Sequence, residues 1–362
     1  MSASLRGLPR ETDVLALVAF CVALGFGIVV PAVPLFALQF GVGTTAAGAV
    51  VSAFALMRLV SGLAGGRLVD RVGERVALLA GLGVVAVSSL LAGLAVSYPQ
   101  LLVLRGVGGI GSAVFTIAAT TLLLRVAAAA QRGQTQSVYR GGFLLGGIVG
   151  PALGGAVVGV SLRAPFFLYA ATLVLAAVAA ATLLPRGSGL PAPAAGVVLG
   201  VRSTVVPLLV VQDLDLAPGW IGVAFTVAAL VQAVLLLPAG KAVDEVGRRP
   251  TLVVGGLLSA IALLGLAAAT GPASLLLAMT VFAAGASLLG VAPAAIVGDV
   301  VEGKGGRAVA VWQMSSDLGS VVGPLAAGLL IDRASFEVAL VVSATVVAGC
   351  ALLGLRMPRE AS

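Results

Sequence analysis

The chain has 362 residues, of which 60% are hydrophobic and 10% charged, and its formal net charge is +7. Soluble domains carry about 25% charged residues, so a chain this poor in charge cannot cover its own surface with polar groups, and a lipid-covered protein is expected instead. The basic balance does not mark a nucleic-acid binder, because the Lys and Arg residues are spread between apolar runs and form no patch with interleaved aromatics.

The charged stretch at residues 1–13 precedes an apolar run too long for the core of a cleavable leader, so that run is read as the first spanning helix. Twelve apolar segments follow one another, at about 14–37, 45–66, 76–97, 100–125, 138–160, 165–184, 193–211, 219–239, 251–270, 274–298, 308–330 and 337–355. Helix is the expected conformation for each, since lipid offers the backbone no hydrogen-bond partners. The 49 glycines and 17 prolines suit membrane helices, where both residues are enriched. Cys21 and Cys350 sit in apolar runs near opposite ends of the chain and read as small hydrophobes.

Alternating the segments across a bilayer puts sixteen Lys and Arg residues on the side of the two termini and only Arg163 and Arg333 on the other. Arg58, Arg105 and Arg202 fall inside the segments. This asymmetry predicts that both termini are cytoplasmic.

The sequence repeats itself. GGRLVDRVGER at 65–75 returns as AGKAVDEVGRR at 239–249, with Asp70 and Asp244 standing 174 positions apart. Gly66 and Gly240, and Gly73 and Gly247, share that separation, and Gly150-Pro151 returns as Gly323-Pro324 at 173. Two parallel halves of six helices follow, an arrangement that places a substrate site between repeats near the bilayer midplane. The expected division is a bundle at 1–184, a short linker at 185–192 and a second bundle at 193–362. The halves differ at two polar positions. Arg105 has apolar Met279 as its counterpart, and Asp317 corresponds to Phe143 or Leu144.

Gly66-Arg67-Leu68-Val69-Asp70-Arg71-Val72-Gly73-Glu74-Arg75 resembles the signature G-x-L-a-D-r-x-G-r-k, which the major facilitator superfamily carries between its second and third helices. Glu74 departs from it, standing where a basic residue is usual. Leu101-x-x-x-Arg105-x-x-Gly108-Gly109-x-Gly111 is similar to the fourth-helix signature of that family, with Gly108 in place of its glutamine. Gly146-x-x-x-Gly150-Pro151-x-x-Gly154-Gly155 is similar to its fifth-helix signature, associated with antiporters. The resemblance runs from about residue 14 to 355. It implies an all-α membrane protein of twelve transmembrane helices in two pseudo-symmetric six-helix bundles. It also implies an inward-side latch made by Gly66, Asp70, Arg71, Gly73, Arg75, Gly240, Asp244, Gly247 and Arg248. Family members usually have a long connector between the sixth and seventh helices. Little chain is left for one here, so part of the linker and of the seventh helix is expected to have been lost.

Charged groups inside a membrane are costly and normally face a cavity or a partner. Asp317, about nine residues into the eleventh segment, is therefore the expected proton-coupling group, with Arg105 as a second. Arg58, Tyr139, Arg140, Arg202, Gln232, Trp312 and Gln313 are expected to line the substrate cavity. Few aromatics and little fixed negative charge point to a hydrophobic or weakly polar substrate. Without a single histidine, and with no carboxylate cluster or phosphate loop, an enzyme is not expected. No metal or cofactor site is readable. The expectation is a monomeric, proton-coupled antiporter of the cell membrane, exporting small amphiphilic molecules by alternating access. Its partners would be substrate, protons and lipid, and not nucleic acid. An uptake symporter or a non-transporting relative is the alternative.

Overall fold

A computed structural model of the protein describes residues 8–184, 206, 209–214, 216, 219–300 and 306–356. Every regular element among them is helical. The first half holds α1 (Arg10–Val29), α2 (Ala32–Leu38), α3 (Thr44–Val72), α4 (Glu74–Gly93), α5 (Tyr98–Val126), α6 (Arg132–Val158) and α7 (Ala164–Leu183). The second holds α8 (Gly219–Glu245), α9 (Arg248–Ala267), α10 (Pro272–Val300), α11 (Gly306–Arg333) and α12 (Phe336–Leu353). Among the described residues, ten helices are long and apolar enough to cross a membrane, α1 and α2 counting as one. This is a multi-pass membrane protein. The seventh expected segment shows a π turn at Leu209–Asp213 and the buried Val206, and the rest of it, like the linker at 185–192, lies outside the described residues.

Proline and glycine set the punctuation. Pro31 has no N–H to give and crowds the preceding turn, so the first crossing breaks between α1 and α2. Gly73 and Gly247, at φ 82° and 107°, make the sharp entries into α4 and α9. A left-handed backbone of this kind suits glycine because it has no Cβ. At 29 residues α3 is about 43 Å long, against a hydrocarbon core of about 30 Å.

The chain divides into two compact units. One comprises residues 1–129, 138–193 and 297–314; the other comprises 130–137, 194–296 and 315–362. The sequence repeat reappears in the packing of each. In the first unit α4 lies on α5 with Gly81 against Gly111: a Cβ on Gly81 would stand 2.8 Å from the Gly111 carbonyl oxygen, and one on Gly111 would stand 2.8 Å from that of Gly81. In the second unit Gly255 of α9 and Gly285 of α10 meet likewise, at 3.2 and 2.8 Å. Both residues have moved by 174 positions.

The core of the first unit is aromatic and aliphatic. Phe36 stacks on Phe166 at 5.3 Å, and both are buried. α1 rests on α6 through four glycines at four-residue spacing. A Cβ on Gly142, Gly146, Gly150 or Gly154 would come within 2.2, 2.5, 2.6 and 2.5 Å of the carbonyl oxygens of Ala16, Phe20, Leu24 and Ile28. Gly27 in turn abuts Pro151. Small residues let two backbones approach this closely in lipid, where dispersion and not hydrophobic burial holds helices together. The second unit has its own apolar core, with Met279, Phe282, Leu263 and Leu340 buried in one cluster.

Candidate functional site

Two aspartates cap helix starts. The first four N–H groups of a helix have no partner within it and carry partial positive charge. In the first unit, Oδ1 of Asp70 accepts a hydrogen bond of 2.7 Å from Gly306 N, at the start of α11, and Arg307 Nε lies 3.9 Å from Oδ2. In the second unit, Asp244 accepts from both Gly133 N and Gln134 N, at 2.8 and 2.9 Å, at the start of α6. Charge-assisted bonds of this type contribute about 1.5–3 kcal/mol each.

Glycines permit the approach. A Cβ on Gly66 would lie 2.5 Å from Gly306 O, and one on Gly306 would lie 2.3 Å from Gly66 O. Gly240 and Gly133 repeat the relationship, at 2.8 and 2.4 Å. The helix end beside each cap is tied down by an arginine. Arg75 Nη2 donates to the carbonyl of Ala181 and Arg249 Nη2 to that of Leu355, again 174 positions on. Arg71 is exposed in the last turn of α3. Arg248 is nearly buried at the start of α9. Glu74 is 1% exposed and lies 3.7 Å from Arg125 Nη2, which accounts for an acid at this point of the loop.

The polar residues expected in the interior divide between the units. Arg58, Arg105, Tyr139 and Arg140 belong to the first, as do Trp312 and Gln313; Gln232 and Asp317 belong to the second. Arg202 lies outside the described residues.

Arg105 is buried in α5, with its guanidinium over the ring of Phe54 at 4.7 Å. Its Nε has no hydrogen-bond acceptor. Phe26 and Tyr169 complete the surroundings: Phe26 lies 5.6 Å from Phe54 and 6.2 Å from Tyr169, centroid to centroid. One turn along α3, Arg58 Nη1 donates to Ser112 Oγ at 3.4 Å. α3 and α5 come together here because Gly109 leaves room. A Cβ on Gly109 would stand 2.2 Å from Phe54 O. Tyr139 is buried in α6, edge-on to Phe143 at 5.3 Å and beside Thr120, with Arg140 next to it. Trp312 is buried with Nε1 unbonded, whereas Gln313, Gln232 and Asp317 are half-buried, and Asp317 has a bonding or electrostatic partner. Met279, the counterpart of Arg105, is in the apolar core of its unit.

The structure adds residues that sequence reasoning passed over. Phe54 lies against Arg105, and Phe26 and Tyr169 continue the aromatic row from two further helices; nothing in their spacing announces it. Gly133 and Gly306 receive the aspartates from far along the chain. Gly142 belongs to the α6 glycine ladder, and its four-residue spacing to Gly146 was visible in the sequence. Gly155 does not belong to it, since a Cβ there would meet nothing within 4 Å. Among the described residues, no group of His, Cys, Asp and Glu is placed to hold a metal ion.

Known proteins resemble this chain in sequence and in fold. The model of the Major Facilitator Superfamily matches residues 15–198 and again residues 192–362. Multidrug resistance protein 1 of Bacillus subtilis (strain 168) is 31% identical over 159 residues, which are 44% of this chain and 41% of that protein. The quinolone resistance protein NorA of Staphylococcus aureus (strain MRSA252) is 28% identical over 179 residues, 48% of this chain and 45% of that one. These matches thus span less than half the length of the curated relatives. Among solved structures, the human organic anion transporter MFSD10 superposes with a TM-score of 0.84 at 17% identity, covering 95% of this chain and 99% of its own. The proton:xylose symporter XylE superposes at 0.75 and 14% identity, covering 96% and 95%. With both halves matched by the family model and the whole fold shared, the chain belongs to the major facilitator superfamily.

Proposed function

We propose that this protein is a secondary transporter that exports small amphiphilic or hydrophobic molecules in exchange for protons, by alternating access. The observation that carries the reading is the aspartate cap present in both halves. Each is a charge-assisted bond at a helix end that can be broken and remade without unfolding either helix. On this reading Gly66, Asp70, Arg71, Gly73 and Arg75, with Gly240, Asp244, Gly247 and Arg248, form the cytoplasmic gate. Similarity to proteins named for multidrug and quinolone resistance supports export, as does the close seating of α6 on α1 through Gly146, Gly150, Pro151 and Gly154. The protein acts as a monomer in the cell membrane with both termini inside, the orientation the Lys and Arg distribution favours.

Asp317 is the proton-carrying group, because it is the one carboxylate among the polar residues expected in the interior, and an arginine does not give up its proton. Arg58, Arg105, Tyr139, Arg140, Arg202, Gln232, Trp312 and Gln313 contribute to substrate or coupling. Everted membrane vesicles with a proton-gradient dye and a panel of lipophilic compounds test the proposal. Addition of a substrate should discharge the gradient with the native protein, and Asp317→Asn should abolish that discharge while ligand binding persists. Normal proton-coupled uptake by Asp317→Asn would overturn the role of Asp317, and no response to any compound would overturn export.

A further inference from the structure

Arg105 is the most heavily buried cation among the described residues of the first unit, at 4% exposure, with the ring of Phe54 against its guanidinium. No ion pair to it occurs among the described residues of that unit, and its Nε lacks an acceptor. Helix geometry explains why. No Asp or Glu occurs from residue 75 to residue 212. Glu11 and Asp13 occupy the first turn of α1, whereas Phe26 stands near its other end, about 20 Å away at 1.5 Å per residue. Asp70 lies sixteen residues along α3 from Phe54, about 24 Å by the same rise. Residues 297–314 meet this unit at the Asp70 end, through Gly306. Glu74 stands beside Arg125, twenty residues along α5 from Arg105 or about 30 Å, so among the described residues of the unit no carboxylate reaches the guanidinium.

An unpaired guanidinium in an apolar interior is costly unless something else answers its charge. Phe54 answers part of it through its ring face. The remaining N–H donors form a planar fork suited to a carboxylate or sulfonate. Next to Phe54, at 5.6 Å, Phe26 is 37% exposed and offers a ring face to an aromatic ligand.

We infer that Arg105, with Phe54, Phe26 and Tyr169, forms a binding site for an aromatic organic anion, the guanidinium taking the acidic group and the rings taking the apolar body. This deepens the transport reading and rests on it for physiological meaning: the exported amphiphiles carry a negative charge. The site itself is a property of the first unit.

The test is equilibrium binding to the purified full-length protein in nanodiscs, with empty nanodiscs subtracted. The probes are three of like shape: 2-naphthoate, its neutral amide, and the corresponding naphthylmethyl ammonium ion. The acid should bind at least about 10-fold more tightly than the amide, the range expected for one charge-assisted bond, and the ammonium ion should compete least. Arg105→Gln should remove the preference for acid over amide while leaving amide affinity within about 2-fold, an outcome that general loss of structure would not give. Arg105→Lys should keep most of the preference. An unchanged acid-to-amide ratio in Arg105→Gln, or native protein that binds the ammonium ion as tightly as the acid, would overturn the inference. If Arg105→Gln does not fold, the native ratio and Arg105→Lys decide it. Binding needs no gradient, so anion preference without transport in vesicles would sink export alone, and transport without anion preference would sink this site alone.

Discussion

Asp70 accepts a hydrogen bond of 2.7 Å from the backbone N–H of Gly306, a residue 236 positions away in sequence. Asp244, its counterpart in the repeat, reaches backward to Gly133 and accepts a second bond from Gln134. The two caps are thus related by the repeat but unequal in their backbone bonds: Asp244 accepts two, while Asp70 accepts one and lies 3.9 Å from Arg307 Nε.

That inequality has a measurable consequence. Asp244→Ala removes two charge-assisted acceptors and Asp70→Ala one, at about 1.5–3 kcal/mol for each fully formed bond. Thermal unfolding in nanodiscs should therefore rank native above Asp70→Ala above Asp244→Ala. The Asn variants should fall between, since an amide oxygen still caps a helix but no longer carries charge. Equal unfolding temperatures for the two Ala variants would contradict the geometry.

The glycine ladder of α6 makes a sharper distinction. Gly150→Ala would set a methyl 2.6 Å from Leu24 O and 2.8 Å from Gly27 Cα. Overpacking of this kind costs about 1–3 kcal/mol. Gly155→Ala meets only open space, so its effect should stay within about 0.5 kcal/mol. Both belong to one sequence motif, and comparison of the two unfolding temperatures checks whether packing or motif membership governs.

Gly73 isolates backbone strain from packing. Its φ is 82°, yet a Cβ there would touch nothing within 4 Å. Gly73→Ala should cost about 1–3 kcal/mol through conformation alone, and Gly73→Asn about as much, because at φ 82° and ψ 156° the backbone lies outside the left-handed helical region that asparagine tolerates. Far-UV circular dichroism melts of the two variants supply the check.

Glu74 and Arg125 invite a double-mutant cycle. Arg125→Gln leaves a carboxylate of 1% exposure without the cation 3.7 Å from it, and should destabilise by about 1–3 kcal/mol. The exchanged pair Glu74→Arg with Arg125→Glu should recover part of the loss. The second half reads Arg248 and Asp299 at the equivalent positions, the same pair with its signs reversed. A coupling energy below about 0.5 kcal/mol would show that the two side chains act independently.

Much of the fold was legible in the sequence because lipid enforces simple rules. A run of about 20 apolar residues must become a spanning helix, so α3, α4, α5, α8, α9, α10 and α12 fall where the apolar segments stand. The break at Pro31 was not foreseen, since an apolar run of suitable length continues through it. The repeat was more informative than its motif suggested: the separation of 174 positions predicts tertiary partners as well as residues, as Arg75 with Ala181 and Arg249 with Leu355 show.

The candidate site was less legible. The charge and burial of Arg105 followed from its place in an apolar run, but its partners did not. Phe54, Phe26 and Tyr169 come from three other helices, and their distances depend on how closely α3 may approach α5, which Gly109 permits. Sequence by itself thus determined the helices, the two-fold repeat and the presence of charge within the membrane, because each depends on local composition and period. Only the tertiary structure decided which aspartate holds which helix, which glycines bear on a neighbouring backbone, and that Arg105 lies against rings and not against a carboxylate of its own unit. Those are contacts between distant segments, set by helix packing to within an ångström, and no local pattern carries them.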